Sequence, residues 1–351
     1  MKTNFNQTVG TDSPGKIAVI LWLLLSPQLG LTASQPPVAE PAVIHLSAGV
    51  SDRQIQAALD ALPAVGGEVI LSSGQFEIHQ PIVLQRDSQT LRGSGATTVL
   101  MLADNANCPV IIMGEPVNHP QKAVKHLRVS DLFIDGNRQH QQRELWKISG
   151  EGADIRNNGI TIQSVSDSTV EHVTTARNRS GGLVTTLGVA RLTVRDLNAF
   201  DNEFDGLACY LTTDSFFADL NLHDNPGAGI SLDLAFNHNV ISNAVLNAND
   251  LGIFMRASRE NNFYNVAIHN SHHHGVFMAH SETQTAQGWG PAPQTECVYN
   301  SFTNLIAMNC GGAAFRVNNT TCTHNVIIRA KFAGNVKGGI SQAQPDLVAV
   351  Q

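Results

Sequence analysis

Short runs of alternating apolar and polar residues dominate this chain, in place of long helical stripes. From Asn157 to about Gly339 the runs fall into a repeat. Gly159, Gly182, Gly206, Gly229, Gly252 and Gly275 are separated by 23, 24, 23, 23 and 23 residues. A similar phrase follows each one: GITIQ, GLVTT, GLACY, GISLD, GIFMR and GVFMA. An Asn-rich turn usually precedes it, as in HDNPGAG and NANDLG. Such a period marks stacked structural units, because a sandwich does not hold it.

Each period carries three apolar pulses, such as ISL, NVI and AVL after Gly229. One turn therefore holds about three short strands, and each buries a face only if neighbouring turns stack above and below. The pattern predicts an all-β, three-sheet parallel solenoid. Alternation after the glycines sends Ile160, Leu183, Leu207, Ile230, Ile253 and Val276 inward, with Ile162, Cys209, Leu232, Met255 and Met278. Two outward columns follow. One holds Thr161, Val184, Ala208, Ser231, Phe254 and Phe277, with Phe315 expected to extend it. The other holds Gln163, Thr186, Tyr210, Asp233, Arg256 and Ala279.

Ahead of the repeat, Ser51 and Gln54 have the spacing of a capping box for a helix from about Asp52 to Leu62, with Ala57, Ala58, Leu59 and Leu62 as its apolar stripe. This helix is expected to plug the N-terminal end of the solenoid, where an open end exposes strand edges. Asn239, Asn262 and Asn325 are either stacked ladders inside the turns or ordinary turn residues.

Composition narrows the class. Hydrophobic residues make up 42% of 351, so the chain is globular. Lys2 and Lys16 flank an apolar run, Ile17–Leu25, that is too short to span a bilayer; Thr32, Ala33 and Ser34 follow. Residues 1–34 therefore read as an export signal, 35–43 as a linker, 44–345 as one β-helix domain and 346–351 as a tail. The mature chain would hold 20 basic and 28 acidic residues, which makes nucleic acid a poor partner. No later stretch suits a membrane span, and a secreted or periplasmic location is expected. Five cysteines fit no metal pattern; Cys209 reads as a core residue, and Cys297 pairs with Cys310 or Cys322 if a disulfide forms.

Residues 52–114, through IQAALDALPAVGGEVILSSGQFEI, PIVL and LRGSGATTVLML, resemble the opening of the pectate-lyase-type right-handed parallel β-helix superfamily. LFIDGN, FDNEFDGLACYL and NDLGIFMRAS resemble the catalytic modules of bacterial mannuronan C5-epimerases. The likeness implies a groove along one outer sheet that holds an acidic polysaccharide. It also implies proton abstraction at sugar C5 beside a neutralised carboxylate. The family motif Tyr-Gly-Phe-Asp-Pro-His falls on Gly181–Thr186, where no Tyr, Asp or His stands. The family Lys-Val-Asp-Gly segment falls on Arg156–Gly159, which keeps a cation and loses the carboxylate. The chemistry has moved along the groove, differs, or is lost.

Tyr210, Asp233 and Arg256, in one column of successive coils, are the candidate catalytic set, with His274 as an added proton carrier. Arg256 suits a uronate carboxylate, Tyr210 a proton transfer, Asp233 a base or cation ligand. The plainer reading is a surface Asp233–Arg256 ion pair with Tyr210 packed beside it. Phe254, Phe277, Arg156, Trp289 and His280 are candidate substrate contacts. The insertion Ser281–Glu296 is either a lid or a passive loop. Asp201, Glu203 and Asp205 are candidate Ca²⁺ ligands or an acid/base pair, against a solvated acidic turn. Asp135, Asn137, Arg138 and the Arg143–Lys147 segment are candidates for the groove's other wall. β-Elimination or C5 epimerisation is the leading activity; glycoside hydrolysis and non-catalytic binding are the alternatives.

Overall fold

The structure, a computed structural model, describes residues 40–142, 155–281 and 294–351. The signal reading of 1–34, most of the linker, Arg143–Lys147, Trp289 and the body of the insertion lie outside these residues.

The strands stack in parallel coils. One face is a ten-stranded sheet, from Ile82–Leu84 through Ile160–Ile162, Leu183–Thr185, Leu207–Tyr210, Ala228–Asp233, Leu251–Arg256 and Val276–Ala279 to Ile340–Gln342. The remaining strands join into one 18-stranded sheet, so two of the three expected faces are continuous. That sheet turns a corner at residues in the left-handed region: Asp131, His172, Asp196, Asp219, Asn243, Asn265, Asn304 and Arg329. Asn and Asp tolerate this conformation better than branched side chains do.

The glycine period has a steric cause. A Cβ on Gly252 would lie 2.4 Å from the carbonyl oxygen of Gly275, one coil on, and a Cβ on Gly182 would lie 2.5 Å from that of Gly206. Coils approach too closely there for any side chain. The apolar pulses fill the interior: Ile160, Leu183, Leu207, Ile230, Ile253 and Val276 are all fully buried. Burial pushes the Cys209 thiol up to about 12, so it is an inert core residue.

Two asparagine ladders cross the interior. Asn178, Asn202, Asn225 and Asn249 pass Nδ2–Oδ1 bonds of 2.7–3.0 Å from coil to coil. Asn239, Asn261, Asn300 and Asn325 do the same at 2.9–3.2 Å. Of the two readings open for Asn239 and Asn325, ladder or turn residue, the ladder is the one observed. Asn262 is not in it: Asn261 points inward, and Asn262 accepts a bond from Ser301 instead.

The helix runs Asp52–Ala61 with the full capping box. Ile55, Ala58 and Leu59 form its buried stripe; Ala57 is exposed, contrary to expectation. Gln56 stands in for a strand at the open edge of the ten-stranded sheet. Its Nε2 donates to the Val83 carbonyl at 3.1 Å, and its Oε1 accepts the Val83 N–H at 2.8 Å. Arg86 covers the carbonyls of Leu59, Asp60 and Leu62 at the helix end.

The expected domain limits shift at both ends. A strand begins at Ala42, inside the supposed linker, and Val348–Val350, inside the supposed tail, pairs with Asn325–Ile327. All five cysteines are free thiols. Cys297 and Cys322 touch through a side-chain hydrogen bond, whereas Cys310 faces the Met308 carbonyl.

Candidate functional site on the ten-stranded face

The strand register decides which outward side chains are neighbours. Tyr210 pairs with Asp233, and Leu232 with Met255, so Asp233 and Arg256 are also adjacent. The three expected residues therefore stand on consecutive coils, with backbone steps of about 4.8 Å. Each is followed by a residue in the left-handed region: Leu211 at φ 46°, Leu234 at 50° and Ala257 at 43°. Leucine and alanine pay a steric penalty there, on the order of 1 kcal/mol. The chain accepts it to turn sharply just after each ledge residue.

Asp233 is buried, with 3% of its side chain exposed, against 34% for Arg256. Its Oδ2 takes a close ion pair from Arg256 Nη2, and its Oδ1 accepts the Leu234 N–H at 2.8 Å. Both oxygens are engaged, so Asp233 is an orienting carboxylate and not a solvent-facing base. The Arg256 guanidinium lies over the Phe254 ring, 5.2 Å from its centroid. Arg256 Nε is buried without a hydrogen-bond partner. With Nη2 held by Asp233, Nη1 is left to meet an anion.

Phe254 and Phe277 stack on adjacent coils, centroids 5.8 Å apart and planes 5° apart, both half-buried. Phe315 does not extend this column. It pairs with Val276 and is fully buried, and Arg316 stands beside Phe277 instead. The sequence count slipped because Ala314 takes the place of the glycine in that coil. Arg316 was missed for the same reason.

His274 joins the array, its ring 5.6 Å from that of Phe277. Its Nδ1 accepts the Ala313 N–H at 2.9 Å. That bond occupies the lone pair of the neutral ring and places the hydrogen on Nε2. In this tautomer His274 Nε2 is a hydrogen-bond donor. Burial lowers its pKa, helped by repulsion from Lys337 and Arg316.

Of the other expected residues, Arg156 lies apart from this centre, whereas His280 follows Ala279, the register partner of Arg256. Arg156 precedes the Ile160 strand, four strand steps or about 19 Å from the Arg256 strand. His280 is exposed near Glu296, whose pKa is lowered chiefly by a hydrogen bond from Thr295 and more weakly by His280. Asp201, Glu203 and Asp205 do not converge on a cation. Asp201 pairs with Arg138, Glu203 with Arg179, and Asp205 accepts the Ala228 N–H at 2.7 Å. Among the described residues, no group of three His, Cys, Asp or Glu is placed to hold a metal. Asp135 pairs with Arg177 in the 18-stranded sheet, and Arg138 is spent on Asp201, so neither builds a groove wall. The insertion returns where it left, with Ser281 N–H on the Thr295 carbonyl at 2.7 Å.

Residues 130–285 match the family described as "Right handed beta helix region". The chain is a right-handed parallel β-helix. Mannuronan C5-epimerase AlgE1 of Azotobacter vinelandii is 29% identical over 217 residues, 56% of this chain but 14% of that protein. The β-helix thus spans a small part of the relatives it matches. An exopolygalacturonase of Thermotoga maritima superposes with TM-score 0.60 at 10% identity, over 90% of this chain and 94% of that one. The N-terminal fragment of bacteriophage Phi29 gene product 12 gives TM-score 0.63 at 15% identity, over 86% and 53% of the two chains. At these identities the structural likeness speaks for the fold alone.

Proposed function

We propose that this β-helix is an exported enzyme acting on a uronate-containing polysaccharide, by β-elimination or C5 epimerisation. The observation that carries the proposal is the Tyr210–Asp233–Arg256 row, held in register beside two stacked phenylalanines. Arg256 Nη1 meets the uronate carboxylate and lowers the cost of charge developing next to C5. Asp233 fixes the guanidinium from below. Phe254 and Phe277 supply a flat apolar surface for a sugar face. Tyr210 carries the proton, because Asp233 is enclosed and His274 offers only a donor.

In elimination a base takes the C5 proton, the C5–H electron pair becomes the C4=C5 double bond, the C4–O bond breaks with its electron pair on oxygen, and an acid protonates that oxygen. In epimerisation a base takes the C5 proton on one face and a second group delivers a proton to C5 on the other; Tyr210 serves one of these two transfers. The resemblance to a mannuronan epimerase and the export reading of residues 1–34 support the substrate class and the location. Hydrolysis is disfavoured. It needs two carboxylates facing each other across the groove, and Asp233 is the one carboxylate among the described residues of the two outward columns.

Incubation with polymannuronate and polygalacturonate tests this. New unsaturated ends by ultraviolet absorbance identify a lyase, and inverted C5 centres by NMR identify an epimerase. Reducing ends without unsaturation would overturn the proposal in favour of a hydrolase. Bound but unchanged polymer would make the protein a binding module.

A further inference from the structure

Beyond Phe277 the face becomes cationic. Arg316 occupies the next outward position, and its Nη1 and Nη2 bond only neutral oxygens, Ser341 Oγ at 2.7 Å and Asn318 Oδ1 at 3.2 Å. Unlike Arg256, it is in no ion pair among the described residues. The turns beside it stack in the same order. Gly312 N–H donates to the His273 carbonyl at 2.6 Å, and Lys337 N–H to the Gly312 carbonyl at 3.0 Å. Lys337 therefore sits two coils above His273, with a glycine between them that covers nothing. It too is in no ion pair among the described residues.

We propose that Arg316 and Lys337 form a second carboxylate subsite, so that the ligand carries at least two carboxylates along one chain. This rests on the uronate reading of the Arg256 centre. Arg316 stands two strand steps beyond the Arg256 strand, roughly 10 Å along the axis. Two residues of an extended glycan span such a gap; Phe277 stands on the coil between the two arginines, and Phe254 on the Arg256 strand stacks against it to support the sugar there. A uronate trisaccharide can occupy both cationic positions, whereas a disaccharide cannot. Arg316 and Lys337 thus set a minimum length and a preference for uninterrupted uronate runs. The His274 Nε2–H adds a neutral donor at the same end.

The test is calorimetric titration of the full chain with mannuronate and galacturonate di-, tri- and tetrasaccharides. The wild type should show a step of roughly tenfold in affinity from di- to trisaccharide, the worth of one charge-assisted contact. In the Arg316→Gln/Lys337→Gln variant that ratio should fall to near one, and Arg316→Lys should keep part of it. Thermal midpoints confirm folding, and the Lys variant carries the comparison if the Gln variant unfolds early. Oligouronate binding with no step, or with a step that survives in the double variant, overturns the second subsite and leaves the Arg256 reading standing. No binding of any oligouronate overturns both.

Discussion

Asp233 and Arg256 define each other's roles. The buried carboxylate takes the Arg256 ion pair on one oxygen and the Leu234 N–H on the other, and the guanidinium is aimed by that contact. The sequence offered an ion pair and a catalytic pair as rival readings. The structure shows the ion pair, with Arg256 the more exposed of its two members. Arg256→Ala takes the guanidinium away from an enclosed carboxylate, so it should cost about 2–3 kcal/mol in urea unfolding, toward the low end because Arg256 is partly exposed. It should also remove turnover. Adding Asp233→Asn should restore much of the stability and none of the activity; recovery of activity would discount Arg256. Tyr210→Phe keeps the ring and removes the proton, so turnover should fall at least about a hundredfold in a variant that circular dichroism shows to be folded.

His274 gives a prediction with a definite sign. Its pKa in the fold lies below the value near 6.5 of an unfolded histidine. The unfolded chain then binds more protons as pH falls below that value. Stability is fully present above about pH 6.5 and declines as pH drops through the folded pKa. Thermal midpoints of wild type should decline across this window more steeply than those of His274→Gln. Parallel curves would remove His274 as the source.

Elements, and not single residues, made most of the fold legible. From Asn157 to Gly275 a carbonyl of the next coil crowds any Cβ once per turn, to 2.4–2.6 Å at Gly159, Gly182, Gly252 and Gly275 and to 3.0 Å at Gly206 and Gly229, and that constraint prints itself on the sequence as glycine. Where the constraint lapses, so does the reading. Coils before Asn157 also stack, but Val83, Ile112 and Thr161 share a column at unequal spacings. The insertion and Ala314 hid Arg316, and the His274 tautomer depends on Ala313, 39 residues away. The ladder register illustrates the limit at its smallest. Asn261 and Asn262 are chemically identical neighbours, and only the pleat decides which one turns inward. Asn261→Ala should cost about 2–3 kcal/mol, since it strips partners from Asn239, Asn300 and the Phe236 carbonyl. Asn262→Ala should cost less than about 0.5 kcal/mol. Equal urea midpoints for the two variants would contradict the ladder.

At the scale of the whole molecule, the β-helix is a ruler. Each coil advances every outward column by one strand spacing, so side chains far apart in sequence meet at fixed intervals on a straight face. The helix at Asp52–Ala61 closes one end of that ruler by presenting Gln56 to the Val83 edge. Along its length the outward column begins apolar with Val83 and Ile112, passes through Thr161, Val184 and Ala208 to Ser231, continues in Phe254, Phe277 and Arg316, and ends at Ser341. The candidate row Tyr210, Asp233 and Arg256 stands one, two and three coils beyond the Gly181–Thr186 stretch on which the motif of the resembled epimerases falls.

A crystal structure of the Tyr210→Phe variant with a bound uronate tetrasaccharide is the most direct measurement. It should place one carboxylate at Arg256 Nη1 and a sugar face over Phe254 and Phe277, with the chain running along the solenoid axis. A tetrasaccharide bound on the 18-stranded sheet, or across the ten-stranded face away from Arg256, would contradict the account.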